Sequence, residues 1–469
     1  MLEPVSTRHG DKLKSVTIFS NKKDHKQAAA DIIEQARRQL DFKPDLALFY
    51  ATLKYNGKYQ SMLEIFHEEF GDIPQIGASV DGMIYPDDMH TDGAALVLCR
   101  DEKARIRVNG TREKGAIESA EKLAKQIKCE KGVVVLHFPL VYVPDILKCT
   151  ESLAKGLYYS KRCNGADKKK QKEYAGKLSD YYNKENFLYL PPTVLNIFAE
   201  HTGYKVPIIG INVTHTQVRF NSPHIFCNFE DIDAGIAALT IEKDGVNAIY
   251  EDIFPDKGKT LEETKHIVRN EFKVIKEFKA NFEKNVLVSL DGMPPVKAVK
   301  NLIYVSEKKK EDLLEHLDSG DLELYRPYEL LFYNKKTKGT FLLGMGSYFP
   351  FDLFPFFMDV SDYSEDVALV YELIDDKFDN FISCLNKLKS NNGSFIYFFI
   401  DVGVTTAFGK KVFEYKDRIR NRLDKNYFGI ISTTPSAYIP PEFQLRNYLS
   451  ESLNNTFFMS AGTNACMEI

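Results

Sequence analysis

The chain has 469 residues, of which 44% are hydrophobic and 27% charged. This composition is typical of a globular protein with a sizeable core and excludes a disordered chain, and the length predicts two to four domains at about 150 residues each. The formal net charge is −4, so no global positive field indicates nucleic acid or an anionic membrane as a partner.

Cysteine spacing and hydropathy indicate the cellular compartment in which the protein is expected. Seven cysteines are scattered singly, with no CxxC pair, which argues against a disulfide framework or a zinc site and for a reducing compartment. The N-terminus lacks the apolar core of a signal peptide, and the most apolar stretches, VVVLHFPLVYV and SYFPFDLFPFFM, are short and interrupted. We therefore expect a soluble cytoplasmic protein.

The first half of the chain alternates strand-like and helix-like segments. The predicted strands and helices, in chain order, are strand 15–20, helix 25–40, strand 46–50, helix 62–70, strand 75–78, strand 94–99, helix 113–127 and strand 132–137. Alternation of this kind predicts an α/β arrangement in which helices cover strands.

One segment of this half occurs twice. LEIFHEEFGDIPQIGAS, from Leu63, aligns with LNIFAEHTGYKVPIIGIN, from Leu195, with a one-residue gap. Each copy has an amphipathic helix, a glycine where positive φ is easiest, a proline opening a strand, and then Gly77 or Gly210. We predict an internally duplicated strand-helix-strand unit with copies at 44–110 and 132–252, with chance similarity as the alternative.

The second copy contains an additional segment, about 145–190, with the basic run KKKQK and several tyrosines. Basic and aromatic groups together bind single-stranded nucleic acid in some proteins. Acidic residues flank the run, however, so we favour a solvated helical insertion.

The character of the sequence changes after residue 252. Residues 253–265 contain Pro255, Gly258 and many charges, and we interpret them as a linker between a domain at 1–252 and a second domain at 266–469. The second region has predicted strands at 330–333, 341–343, 367–370, 395–400 and 428–432, and a predicted helix at 411–423. We expect a strand-rich α+β domain there.

At this point the sequence resembles the FIST-domain family, with both its N-terminal and C-terminal modules. The N-terminal resemblance is carried by DLALFYATLKYNG, PQIGASVDGMI and DGAALVLC, and the C-terminal resemblance by NVLVSLDGMPPVKAVKNLI, RPYELLFYN and FIDVGVTTAFGKK. Ala78 stands where the family often has Cys, and Val402 and Thr405 stand near an expected Cys and Arg. The resemblance implies a sensory module in signal transduction, with amino acids or related metabolites as ligands, and some members are haem-binding sensors.

Two polar strand ends are the candidate ligand site. We call residues 77–81 the first corner and residues 210–215 the second corner. Their glycines allow close approach of a ligand, and polar side chains follow each glycine. The candidate ligand-binding residues are Gly77, Ser79, Asp81, Gly210, Asn212, Thr214 and His215. If the repeat brings the corners together, they form one cleft; the alternative is a pair of tight turns.

Other polar clusters are weaker candidates for a functional site. The stretch DDMHTD at 87–92 offers carboxylates and a histidine for a metal, but a solvated hairpin tip explains it better. His137 lies within an apolar run and is expected to be a core residue, whereas His215 or His224 could ligate non-covalent haem. No GxSxG, HExxH or P-loop sequence occurs, and a GxGxxG match fails at Phe349.

The sequence therefore predicts a cytoplasmic sensor that binds a small polar metabolite and signals through a separate output protein, without catalytic residues, metal, nucleic acid or membrane. The alternatives are an enzyme that uses pocket acids or a histidine as general base, a haem sensor, and an interaction scaffold without a ligand. Ligand identity and oligomeric state are left open.

Overall fold

The computed structural model describes residues 13–86, 88–113, 115–142, 144–185, 189–213, 215, 221, 223–251, 258–300, 302, 328–336, 338, 340–344, 352–355, 360–371, 395–401, 412–421, 423, 426–432, 434–440, 458–459 and 464–468. They form mixed α/β and α+β structure in four sheets, which confirms the predicted fold class. No helix among these residues is long and apolar enough to cross a bilayer.

The first sheet is built mainly from the first copy of the predicted repeat. Its strands, in spatial order, are β1 (Lys14–Ser20), β6 (Ala94–Arg100), β2 (Leu46–Ala51), β3 (Gln75–Ser79), β10 (Ile225–Cys227) and β11 (Glu230–Asp231). Only β2 and β3 are parallel to each other. Helices α1 (His25–Gln39) and α2 (Tyr59–Phe70) cover one face, where Ile32 and Phe66 pack with Phe49.

The second sheet repeats this order with the second copy. Its strands are β7 (Arg105–Thr111), β12 (Ile236–Glu242), β8 (Val133–Pro139), β9 (Ile208–Val213), β22 (Thr434–Tyr438) and β23 (Phe458–Met459). Again one pair, β8 and β9, is parallel and the others are antiparallel. Helices α3 (Ala116–Ala124) and α6 (Pro191–His201) cover the outer face. The shared strand order supports the predicted duplication, which stays a prediction.

A third sheet has the same order and was not expected from the sequence. Its strands are β13 (Asn247–Glu251), β24 (Asn464–Glu468), β20 (Ile396–Asp401), β21 (Tyr427–Ser432), β4 (Gly82–Ile84) and β5 (Met89–His90). The parallel pair is β20 and β21, and helix α9 (Val412–Arg420) lies between them along the chain. Gly429 pairs with Phe398 in this sheet as Gly77 pairs with Phe49 and Gly210 with Leu136 in the others.

The last two strands of each of these three sheets come from the stretch of chain that has just left another of them. The chain leaves β3 of the first sheet and forms β4 and β5 in the third, and it leaves β9 of the second sheet and forms β10 and β11 in the first. After β21 of the third sheet it forms β22 and β23 in the second. Beside each corner, the neighbouring strand therefore comes from another sheet's stretch of chain: β10 pairs with β3 at the first corner, and β22 pairs with β9 at the second.

The fourth sheet comes from the region after residue 266. Its strands are β17 (Thr340–Gly344), β16 (Tyr328–Asn334), β19 (Tyr363–Tyr371), β14 (Lys273–Glu283), β15 (Val286–Leu290) and β18 (Phe354–Pro355). Helix α7 (Leu261–Glu271) begins with a capping box of Thr260 and Glu263, which satisfies backbone donors at its start, and α8 (Pro295–Lys300) follows β15. The insertion contains α4 (Ile146–Cys163) and α5 (Lys168–Lys184), and α5 packs on β14 and β15.

The main core lies between the inner faces of the first three sheets. It includes Val97, Val135, Ile209, Phe399 and Ile430, which are all buried. Residues 261–265 of the predicted linker lie within α7, and the third sheet takes strands from both sides of the linker. The first three sheets thus share one core across this boundary.

Candidate functional site

Ser79, the last residue of β3, lies at the carboxyl end of the parallel strands β2 and β3. It is fully buried, and the neighbouring strand β10 approaches it through His224. The Ser79 backbone N–H donates to the His224 carbonyl at 2.9 Å, and the His224 backbone N–H donates to Ser79 Oγ at 2.9 Å. Carboxyl ends of parallel strands are common ligand sites in open α/β sheets.

His215 joins the two predicted corners. Its Nε2 lies 2.9 Å from Ser79 Oγ, and its Nδ1 lies 3.0 Å from Oδ1 of Asp81. Since a carboxylate only accepts, Nδ1–H donates to Asp81, and Nε2 then accepts from the Ser79 hydroxyl. The His215 side chain is 1% exposed and that of Asp81 14%, so the three groups form a nearly dry chain of hydrogen bonds.

This arrangement has the order of groups found in a Ser-His-Asp triad, in which the carboxylate orients the imidazole and the imidazole accepts the serine proton. Two features differ from a nucleophilic serine. The Ser79 hydroxyl is buried, and it already accepts the His224 N–H.

A second histidine cluster lies beside Ser79. His224 Nδ1 is 2.8 Å from Asp231 Oδ2 and 3.4 Å from Asp233 Oδ1. Burial disfavours the charged imidazole, but the hydrogen bond to Asp231 and the charges of both carboxylates outweigh it and raise the pKa of His224. The three side chains are close enough to hold a metal ion together, although Arg112 already pairs with Asp233.

The corner glycines are required for contacts within the protein. A Cβ at Gly77 would lie 1.6 Å from the Phe49 carbonyl oxygen, and a Cβ at Gly210 would lie 2.5 Å from Ser436 Oγ. The expected room for a ligand on that side of each glycine is therefore filled by the paired strand β2 and by β22.

Asn212 of the second corner bonds Ser436. Among the described residues, none of its hydrogen bonds goes to a polar group of the first corner. Its Nδ2 donates to Ser436 Oγ at 3.1 Å, and the two side chains are buried. Ser79, Asp81 and His215 of the two corners are thus in contact, whereas Asn212 bonds a strand from the C-terminal region, and the ligand cleft itself stays a prediction. Thr214 lies outside the described residues.

A buried polar cluster that the sequence did not indicate lies where the three sheets meet. Tyr50 of β2 bonds His137 of β8, with 2.7 Å between the hydroxyl oxygen and Nε2, and also bonds the hydroxyl of Tyr397 in β20. His137 is in the core as expected, but its Nδ1 has no partner among the described residues. Burial lowers the pKa of His137 to about 3, so the imidazole is neutral at ordinary pH. The repeat alignment could have indicated the Tyr50–His137 contact. Each residue directly follows the one that pairs with the corner glycine, Phe49 with Gly77 and Leu136 with Gly210.

The segment predicted as a solvated hairpin tip lies in and around β4 and β5. Asp88 pairs with Lys416 at 2.8 Å, and the His90 ring stacks on Phe19 with 3.8 Å between ring centroids. Asp87 lies outside the described residues. The groups that are described there pair with protein side chains and do not converge with the corner site.

Comparison with known proteins gives two family matches. Residues 45–293 match the FIST N domain, and residues 262–375 match the AF0772-like protein C-terminal domain. An uncharacterized protein from Archaeoglobus fulgidus is 22% identical over 246 residues, which are 52% of this chain and 64% of the relative. The match thus spans less than two thirds of that relative's length.

Proposed function

Because the chain belongs to the FIST family of sensory domains in signal transduction, we propose that it is a cytoplasmic sensor whose ligand is a small polar metabolite, an amino acid or a related compound. The ligand binds at Ser79, Asp81 and His215. The observation that carries the proposal is the chain of hydrogen bonds joining these three residues from separate corners.

The chemistry of the three groups suits such a ligand. The Asp81 carboxylate accepts hydrogen bonds from an ammonium group, while the Ser79 hydroxyl and the His215 imidazole bond a carboxylate or hydroxyl. No further group is needed to recognise both ends of an amino acid.

Binding at this position has a structural consequence. His215 follows β9 of the second sheet, whereas Ser79 ends β3 of the first sheet. A ligand that takes over the His215 hydrogen bonds changes the connection between the two units. A separate output protein then responds to that change, because a ligand shifts an equilibrium by its different affinity for two conformations.

The test is a thermal-shift screen of amino acids and related metabolites, followed by calorimetric titration of any compound that stabilises the protein. Asp81→Asn should weaken binding at least about tenfold, as expected for loss of a charged hydrogen bond. Asp72→Asn is the matched control, because Asp72 is 97% exposed and bonds only His67 among the hydrogen bonds of the described residues. Absence of any stabilising compound, or equal affinity of Asp81→Asn and the wild type, would overturn the proposal.

A second candidate function is hydrolysis, which the Ser79–His215–Asp81 order favours. A fluorophosphonate probe should then label Ser79, and His215→Asn should abolish the labelling; the site of labelling is read by mass spectrometry. We rank this function second because Ser79 Oγ already accepts the His224 backbone N–H, which makes it a weaker nucleophile.

A further inference from the structure

Helix α4 of the insertion presents an apolar face to solvent. Of the seven large hydrophobic side chains exposed in the described part of the chain, five lie on this helix: Ile146, Leu147, Leu153, Leu157 and Tyr158, of which Leu147 is 78% exposed. With Ala154 they form what we call the α4 face. Helical spacing places Ile146, Leu153 and Leu157 in one row, with Leu147 and Tyr158 in the adjoining row. The charged residues of this stretch, Lys148, Glu151 and Lys155, are half-buried and lie along one side of the α4 face.

The opposite side of α4 is attached to the protein. Gly156, Ser160 and Cys163 are buried, and Ser160 Oγ accepts the Leu353 backbone N–H at 3.2 Å. The partner helix α5 is fixed to the fourth sheet by Ser179, which donates to Asn285 Oδ1 at 2.5 Å. The α4 face is thus attached to the protein on its opposite side and has no cover from the described residues.

The charges at the two ends of this face are complementary to each other. The exposed Asp145 precedes the helix, and the exposed Lys161 and Arg162 end it. If two copies of α4 pack antiparallel about a twofold axis between Leu153 and Ala154, Arg162 of one copy lies opposite Asp145 of the other. The same arrangement aligns the helix dipoles favourably and places the small Ala154 at the crossing point.

We propose that the α4 face is a homodimer interface in which the α4 helices of two copies pack antiparallel. A second copy fits the pattern of charge better than an anionic membrane does, because a membrane would repel Asp145 at the start of the helix. Lys148, moreover, is already paired with Glu151 and Glu185.

Sedimentation velocity on the full chain tests the dimer. The wild type should sediment as a dimer at micromolar concentration, and Leu157→Glu should weaken self-association at least about a hundredfold, since a charge at a buried interface position has no partner. Ile117→Glu is the control: Ile117 is also exposed, but it lies on α3, and this variant should remain dimeric. A monomeric wild type would overturn the proposal, as would a monomer that floats with phosphatidylserine vesicles or a Leu157→Glu variant that dimerises normally.

Cross-linking tests the antiparallel geometry independently. Ala154→Cys lies next to the proposed axis and should give a covalent dimer under mild oxidation on a non-reducing gel. Lys172→Cys, an exposed position on α5, should not, and the wild type controls for Cys149. Equal cross-linking of both variants, or none by Ala154→Cys in a dimeric sample, would exclude this interface.

Discussion

At the first corner β3 ends in Ser79, whose hydroxyl bonds His215, while at the second corner β9 carries Asn212, whose amide bonds Ser436. The glycines, the parallel strand pairs and the antiparallel third strands correspond. The difference lies in the strand that completes each corner, because β10 brings His224 and its carboxylates and β22 brings neutral side chains. One backbone arrangement thus supports an ionisable site around Ser79 at the end of β3 and a closed neutral contact at Asn212 in β9.

The largest expected difference between the corners is their tolerance of a methyl group. Gly77→Ala should cost about 4 kcal/mol or more of unfolding free energy, because the new Cβ meets the Phe49 backbone, which cannot move without breaking the sheet. Gly210→Ala should cost about 1–3 kcal/mol, because the Ser436 side chain can rotate away. Urea denaturation of both variants measures the two costs. Equal costs would show that the corners are packed alike.

The second prediction concerns the hydrogen bond between the first two sheets, where Tyr50 of β2 meets His137 of β8. The pKa of His137 falls from 6.5 in the unfolded chain to about 3 in the folded one, through burial. The unfolded state therefore takes up the proton first as pH falls. This group should cost about 2.5 kcal/mol of stability between pH 7 and pH 4.5.

His137→Gln provides the comparison for this effect. Denaturant titrations of both proteins at the two pH values give the difference, in which the other titrating groups cancel. The wild type should lose more stability in acid than the variant, and equal losses would mean that His137 is protonated in the folded state.

Several strands and the polar residues at the two corners could be predicted from the sequence. Strand-like apolar segments marked five of the twelve strands of the first two sheets, namely β1, β2, β3, β6 and β8. The repeat brought Ser79, Asp81 and His215 forward as candidates because equivalent strand ends should meet. These inferences need only periodicity and a local alignment.

The sequence did not predict which distant strand completes each corner. β4 has only three residues, Gly82–Ile84, and β22 contains a proline, so neither has a clear strand pattern, and their partners are chosen by packing of the whole core. The signal for the third unit was present in YFGIIS, where Gly429 matches Gly77 and Gly210. This match indicates a third unit only when it is combined with the strand order of the third sheet.

A third prediction tests whether the second corner is a closed contact. Asn212→Ala should cost about 1–3 kcal/mol, because it leaves the buried Ser436 hydroxyl without this partner. A double-mutant cycle with Ser436→Ala should give a coupling energy of about 1 kcal/mol. Chemical denaturation of the four proteins measures it. Ligand binding at Ser79, Asp81 and His215 should be the same in all four proteins, and a loss of binding in Asn212→Ala would add Asn212 to the site.

The smallest expected effect is the pH response of His224 and its carboxylates beside the first corner. The pKa of His224 is raised in the folded protein, since its bond to Asp231 and the neighbouring charges outweigh burial, whereas Thr434 pairs with Asn212 at the equivalent place in β22. A raised folded pKa adds stability that is fully present below pH 6.5 and is lost as pH rises through the folded pKa. The wild type should therefore lose more stability between pH 6 and pH 8 than His224→Gln, as measured by the thermal midpoint at both values. A variant with the same pH slope as the wild type would show that the pKa of His224 is the same in the folded and unfolded states.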